Sequence, residues 1–215
     1  MALEKGIAEL VREFIDAGRP SSREQNIDDR RNGYVASAVL AGEQENRVWV
    51  EDIELEGMFF RVVSPLNATG ALPAVIYFHG GCFISGGFAT HDHQLRQLAY
   101  HSGCRVIAVQ YRLAPEHTFP AAHDDAEKGA LIIHRHAGQL GIDASRITLA
   151  GDSAGGHLAL VTALRLKTTQ AWQPAQLVLI YPMLDATASM KSYIDNGKDY
   201  IITLSLIHIS EPTRL

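Results

Sequence analysis

The chain has 215 residues, enough for one sizeable domain with its own core. Hydrophobic residues make up 47% and charged residues 20%, an ordinary globular balance. A net charge of −5 argues against nucleic-acid or anionic-membrane partners, and only two cysteines, Cys82 and Cys104, argue against a disulfide framework. No apolar run approaches the roughly 20 residues of a membrane span. The first residues lack a basic stretch followed by an apolar one, so no secretory leader is expected and a cytoplasmic location is.

Leu3, Ile7, Leu10, Val11, Phe14 and Ile15 recur at helical spacing with Glu and Arg between them, which predicts an amphipathic helix ending at Gly18-Arg19-Pro20. A second helix is predicted over residues 22–41. From Arg47 the period changes to two: Val48, Val50, Ile53 and Leu55, then Gly57, then the run 59–63, which reads as an antiparallel hairpin at a sheet edge. The continuous apolar run 73–78 reads as a buried central strand. It delivers His79-Gly80-Gly81-Cys82-Phe83.

Residues 90–101 predict a helix and 105–110 another buried strand. A helix over 119–140 follows, then a strand ending at 150, a helix from about 154, and a sixth strand over 176–181 stopped by Pro182. Strands alternating with helices imply crossover connections and a mostly parallel sheet with helices on both faces. In such sheets chemistry gathers beyond the carboxyl ends of the strands, where residues 79–82, 153 and 182–185 all fall.

Two motifs carry the chemistry. Gly151-Asp152-Ser153-Ala154-Gly155-Gly156 places a serine between a strand and a helix, with small residues where strand and helix must nearly touch. The turn would lift the Ser153 hydroxyl above the sheet as a nucleophile. His79-Gly80-Gly81-Cys82 follows the central strand, where glycines present backbone N–H groups to a developing oxyanion. The expected donors are the N–H groups of Gly81, Cys82 and Ala154, with Gly80 a further candidate. His79 and Asp152 are read as structural members of these motifs. His91, His93, His101, His117, His123, His134 and His136 lie on or beside helices in polar surroundings and are expected at the surface. His91 and His93 cannot share a helix face, so no metal site is expected. Asp124 and Asp125 are expected at a helix start, and the cysteines as buried thiols.

HGGCF (79–83), YRLAPEH (111–117), FPAAHDDA (119–126), GDSAGG (151–156) and YPMLD (181–185) stand in the order and spacing of a known family. The chain resembles the bacterial hormone-sensitive-lipase-like (GDXG) esterases of the α/β-hydrolase fold. The resemblance implies hydrolysis of short-chain acyl esters through an acyl-enzyme, without cofactor or metal. It also implies a division into N-terminal cap helices (1–45), a hydrolase core (46–182) and the start of a second cap segment (183–203). A non-catalytic small-ligand-binding protein of the same fold, and an amidase or deacetylase, are the alternatives. In the family the triad acid and base follow the seventh and eighth strands, which this chain is not expected to contain; Asp185 is a weak alternative for the acid. Residues 204–215 resemble translated sequencing adapter, so His208 is not a candidate base.

Overall fold

The computed structural model of the protein describes residues 5–18, 25–185, 187 and 189–195. The adapter-like tail and residues 186, 188 and 196–203 of the expected second cap segment lie outside these residues. Six strands form one sheet: β1 (Val48–Leu55), β2 (Met58–Pro65), β3 (Leu72–Phe78), β4 (Arg105–Val109), β5 (Ile142–Asp152) and β6 (Gln176–Ile180), in the spatial order β1-β2-β4-β3-β5-β6. β1 and β2 form the expected antiparallel hairpin, and β2 joins β4 antiparallel. β4, β3, β5 and β6 run parallel.

Alternation along the central strands builds two cores. Ala74, Ile76 and Phe78 of β3, with Ile107 and Val109 of β4 and Ile147 and Leu149 of β5, face one side. There they meet Ala126, Ala130 and Ile133 of α4 (Ala121–Arg135) and Leu158, Ala159 and Leu166 of α5 (Ala154–Thr168). Val75, Tyr77, Val106, Ala108 and Ala150 face the other side, against Leu95 and Ala99 of α3 (Phe88–Ser102). Apolar residues at odd and at even positions explain why the run 73–78 reads as continuous rather than alternating. β6 pairs only with β5 among the described residues, and Val178 and Ile180 on its outer face are 40% and 37% exposed.

Two helices differ from their expected bounds. The helix predicted over 22–41 is α2 (Ile27–Ser37) followed by one 3₁₀ turn, Ala38–Ala41. It starts where it does because the Asn26 side chain accepts the Asp29 N–H at 2.8 Å, satisfying a donor the helix cannot. α4 ends at Arg135 rather than at 140. A turn closed by Gly141 at φ 60° feeds β5, with the Ile142 N–H donating to the Ala137 carbonyl. The first helix, α1 (Lys5–Asp16), is present, but its Leu10 and Ile15 are exposed rather than covering the core. α2 is tied down by Arg31. Its Nε donates to the Ile84 carbonyl at 2.8 Å, one Nη to the Ala114 carbonyl at 3.1 Å, and both Nη to Glu116 at 2.8 Å.

Candidate active site

Register brings the two motifs together. Phe78 of β3 pairs with Gly151 of β5, and Asp152 with Ile180 of β6, so the residues after these strands emerge at one edge of the sheet. Ser153 sits there at φ 53°, ψ −116°, a left-handed turn that a non-glycine residue adopts only when its surroundings force it. The forcing groups are visible. The Ser153 N–H donates to the Ile180 carbonyl at 2.9 Å, and its own carbonyl accepts from His157 and Met183 N–H groups at 3.1 and 3.2 Å. A Cβ on Gly155 would fall 1.9 Å from the Phe78 carbonyl oxygen, and one on Gly151 would fall 2.4 Å from Gly155. Strand and helix approach this closely only because both positions are glycine. Ser153 is partly exposed, and its Oγ has no hydrogen-bond partner among the described residues.

The glycine loop is built around one carbonyl. Gly81 oxygen accepts from Ile84 N–H at 3.1 Å and from the Ser85 N–H and hydroxyl at 3.0 Å each. This fold-back sets Gly81 at φ 126°, and Cys82 and Phe83 follow at φ 56° and 61°. Cysteine at the third glycine position is therefore held in a conformation suited to glycine. Its partly buried thiol packs beside Ile84, Ala114 and Ile27, and burial pushes its pKa up. The N–H groups of Gly81, Cys82 and Ala154 meet no acceptor among the described residues, as oxyanion donors must. Gly80 is corrected. Its N–H donates to Asp152 Oδ1 at 3.0 Å, so it is committed to the protein and leaves the candidate hole.

Asp152 and His79 hold this geometry from below. Asp152 is 5% exposed, and its Oδ1 accepts the Tyr77 hydroxyl at 2.9 Å as well as Gly80 N–H. Burial would raise its pKa, but hydrogen bonding to His91, Tyr77 and Gly80 outweighs it and holds the carboxyl below its ordinary value. His79 is 2% exposed and stacks on Tyr111 at 4.2 Å between ring centroids. Its Nδ1 lies 2.8 Å from the Gly80 carbonyl, whereas the Tyr111 hydroxyl donates to the His79 carbonyl at 2.7 Å. Burial, and secondarily His91, lower the His79 pKa to about 4. Its ring is buried and its Nδ1 is turned toward the protein's own backbone.

The histidines expected at the surface divide. His101 and His117 are exposed, but His91 and His123 are buried, at 2% and 5% exposure. His91 lies against Asp152, with Nε2 3.2 Å from Oδ1 and 3.4 Å from Oδ2. His123 Nε2 lies 3.0 Å from His157 Nε2, and the His157 Nδ1 lies 2.9 Å from the Met183 carbonyl. Both rings also pack on Phe83 of the glycine loop. Asp185, the weak alternative acid, has both oxygens engaged locally. Oδ1 accepts from Thr187 N–H at 3.0 Å, and Oδ2 from Ser189 N–H and hydroxyl at 2.9 and 2.8 Å; its pKa falls to about 2. Asp125 fixes Arg112 through two side-chain bonds, and Asp124 pairs with Arg165. Among the described residues no three His, Cys, Asp or Glu side chains are placed to share a metal ion.

A mostly parallel sheet whose strand ends meet a strained serine elbow and a glycine loop, with N–H groups unpaired among the described residues, is the architecture of an α/β hydrolase. The chain belongs to that fold family, among its esterases: the family profile, described as alpha/beta hydrolase fold, matches residues 75–211. An ethyl acetate hydrolase of Pseudomonas putida is 33% identical over 216 residues, covering 94% of this chain and 68% of the relative. The esterase LipI of Mycobacterium tuberculosis is 40% identical over 135 residues, 63% of this chain and 42% of its own length. The solved structure of a hyperthermophilic esterase from the archaeon Pyrobaculum calidifontis superposes with a TM-score of 0.85 at 35% identity, covering 96% of this chain and 68% of that one. The chain thus spans between about two fifths and two thirds of these relatives. No helix among the described residues is long and apolar enough to cross a membrane.

Proposed function

We propose that this chain carries the nucleophile and the oxyanion hole of a serine carboxylesterase acting on short-chain acyl esters. The observation that carries the reading is Ser153 itself, held at φ 53°, with its hydroxyl and the N–H groups of Gly81, Cys82 and Ala154 lacking partners among the described residues. In the proposed reaction Ser153 Oγ attacks the ester carbonyl, and the Gly81, Cys82 and Ala154 N–H groups receive the negative charge that develops on its oxygen. Collapse of that intermediate expels the alcohol and leaves an acyl-Ser153, which water then hydrolyses. The dipole of α5, whose N-terminus begins at Ala154, favours the same charge.

Attack also needs a base to take the hydroxyl proton. His79 and His157 are engaged with Gly80 and with His123 and Met183, so the proposal assigns the base and its partner acid to residues beyond those described. A fluorophosphonate probe should label Ser153 in the product of the complete gene, a short p-nitrophenyl ester should be turned over, and Ser153→Ala should abolish both. Labelling without ester turnover would favour an amidase, and absence of labelling would favour a ligand-binding protein of this fold.

A further inference from the structure

We propose that His91 is a positioning residue for the oxyanion hole, acting through Asp152; the inference rests on the esterase reading above. His91 sits in the first turn of α3, and its ring is sealed from solvent. Its Nδ1 lies 2.7 Å from the Thr90 hydroxyl, which is itself fixed by the Gly87 N–H at 3.0 Å and the Gly87 carbonyl at 2.9 Å. The edge of its ring meets Tyr34 of α2, with centroids 5.9 Å apart. The imidazole is thus held between α3, which carries it, and Tyr34 of α2.

Its free end bears on the carboxylate that joins the two halves of the site. An ionised Asp152 can only accept, so Nε2 carries a hydrogen and donates to it. The Gly80 N–H, 3.3 Å from Nε2 but 3.0 Å from Asp152 Oδ1, then belongs to the carboxylate. Tyr77 and Gly80 both bond Oδ1, and His91 is the described partner of Oδ2. His91 Nε2, 3.2 Å from Oδ1 and 3.4 Å from Oδ2, adds a third donor that reaches both oxygens and tightens the hold on the carboxylate. Asp152 immediately precedes Ser153, and Gly80 immediately precedes Gly81. One carboxylate orientation therefore sets the distance between the serine and the peptide that presents the Gly81 N–H. His91 is the donor that ties that orientation to α3, and its loss slackens it.

Such a role predicts a loss confined to the transition state, because a slack loop still admits the ester but aims its donors poorly. Misplacement on the scale of 1 Å lowers turnover by on the order of 10²-fold. In the complete gene product, His91→Met, which keeps bulk and removes the donor, should lower kcat by about that factor. KM should stay within about twofold, and affinity for a trifluoromethyl ketone, a mimic of the tetrahedral intermediate, should fall in parallel with kcat. His91→Gln, whose amide can donate to Asp152, should recover at least about tenfold of the loss. Equal kcat for the Met and Gln variants, or a loss confined to KM or to thermal stability, would overturn the inference. Should His91→Met fail to fold, Thr90→Val carries the test, because it removes the hydroxyl 2.7 Å from His91 Nδ1 that holds the ring toward Asp152. An unchanged kcat and trifluoromethyl ketone affinity in that variant would again overturn the inference. Wild-type protein that neither labels with fluorophosphonate nor hydrolyses esters would defeat the esterase reading and this inference with it. Wild-type activity matched by His91→Met would defeat this inference alone.

Discussion

Replacing Gly155 by alanine tests whether the serine elbow depends on the contact between β3 and α5. The added Cβ would lie 1.9 Å from the Phe78 carbonyl oxygen, 2.5 Å from its carbonyl carbon and 2.7 Å from the His79 carbonyl oxygen. Ordinary contact begins at 3.4 Å, so the shortest of these is 1.5 Å too close. All three atoms are backbone at the end of a buried strand, and no side chain can swing aside. The whole N-terminal turn of α5 has to recede, and Ser153 moves with it. Overpacking of well-ordered interiors costs about 1–3 kcal/mol and occasionally more, and a backbone-on-backbone clash belongs at the top of that range. For a domain of this size about 3 kcal/mol lowers Tm by roughly 6–12 °C.

Two other glycines calibrate the measurement. A Cβ on Gly156 would meet the Gly151 carbonyl oxygen and Pro182 Cβ at 3.0 Å, a strain that small shifts relieve, so Gly156→Ala should cost about 1 kcal/mol. A Cβ on Gly138 would meet nothing within 4 Å, and Gly138→Ala should stay within about 0.5 kcal/mol of the parent. Thermal unfolding followed by circular dichroism gives the order, and the rate of fluorophosphonate labelling reports the elbow. Labelling of Gly155→Ala should be slower by about 10²-fold, with the other two near the parent rate. Equal Tm and labelling rate for Gly155→Ala and Gly138→Ala would show that the close approach does not shape the site.

Cys82 stands at φ 56°, so Cys82→Ala keeps the left-handed strain and loses the thiol packing, whereas Cys82→Gly loses the packing but relieves about 1–2 kcal/mol of strain. Cys82→Gly should therefore be the more stable of the two in urea unfolding, the reverse of the order at a relaxed buried site. Burial and His91 lower the His79 pKa to about 4 from its ordinary 6.5, so as pH falls the unfolded chain takes up a proton that the folded one refuses. The stability this contributes is complete above about pH 6.5 and is lost toward pH 4. Roughly 2 kcal/mol should go between pH 7 and 5, a window in which most carboxylates stay ionised. Urea midpoints of the parent and of His79→Asn measured across that window should diverge in slope, and parallel slopes would refute the assignment.

The strands and the elbow were legible because their signals are local. The apolar run 73–78, the hairpin around Gly57 and the small residues of 151–156 each declare themselves within a dozen positions. The buried histidines were not legible, because a polar residue is drawn inside by a partner that the local sequence does not show. His91 is buried against a carboxylate 61 positions away, and His123 against an imidazole 34 positions away. Gly80 is a further candidate for the oxyanion hole by residue type alone. Its N–H is claimed by Asp152, 72 positions on, which only the sheet register reveals. Arg31 shows the same limit: nothing near it announces a tether to Ile84, Ala114 and Glu116. A cue for His91 did exist, since a histidine in the first turn of the helix after the glycine loop has to lie near that loop's start.

Hydrogen-bond accounting locates the site more sharply than the motifs do. Buried polar groups in folded proteins almost always find partners, so a polar group beside the core that lacks one needs a reason. Around this sheet edge most of the protein's own groups are matched. Asp152 has Tyr77, Gly80 and His91; the carbonyls of His79, Gly81 and Ser153 all accept; and the Ser153 N–H donates to Ile180. Among the described residues the Ser153 hydroxyl, the buried His79 Nε2 and the N–H groups of Gly81, Cys82, Phe83 and Ala154 have no partner. The same stretches hold three non-glycine residues, Cys82, Phe83 and Ser153, at φ 53–61°, each costing on the order of 1–3 kcal/mol. Strain without function would be relieved by glycine at each position, and donors without a ligand would be satisfied by a neighbouring carbonyl. On the proposed esterase reading, a fold that keeps both, in two turns joined by one carboxylate, holds these groups ready for a negative charge that the folded chain itself does not supply.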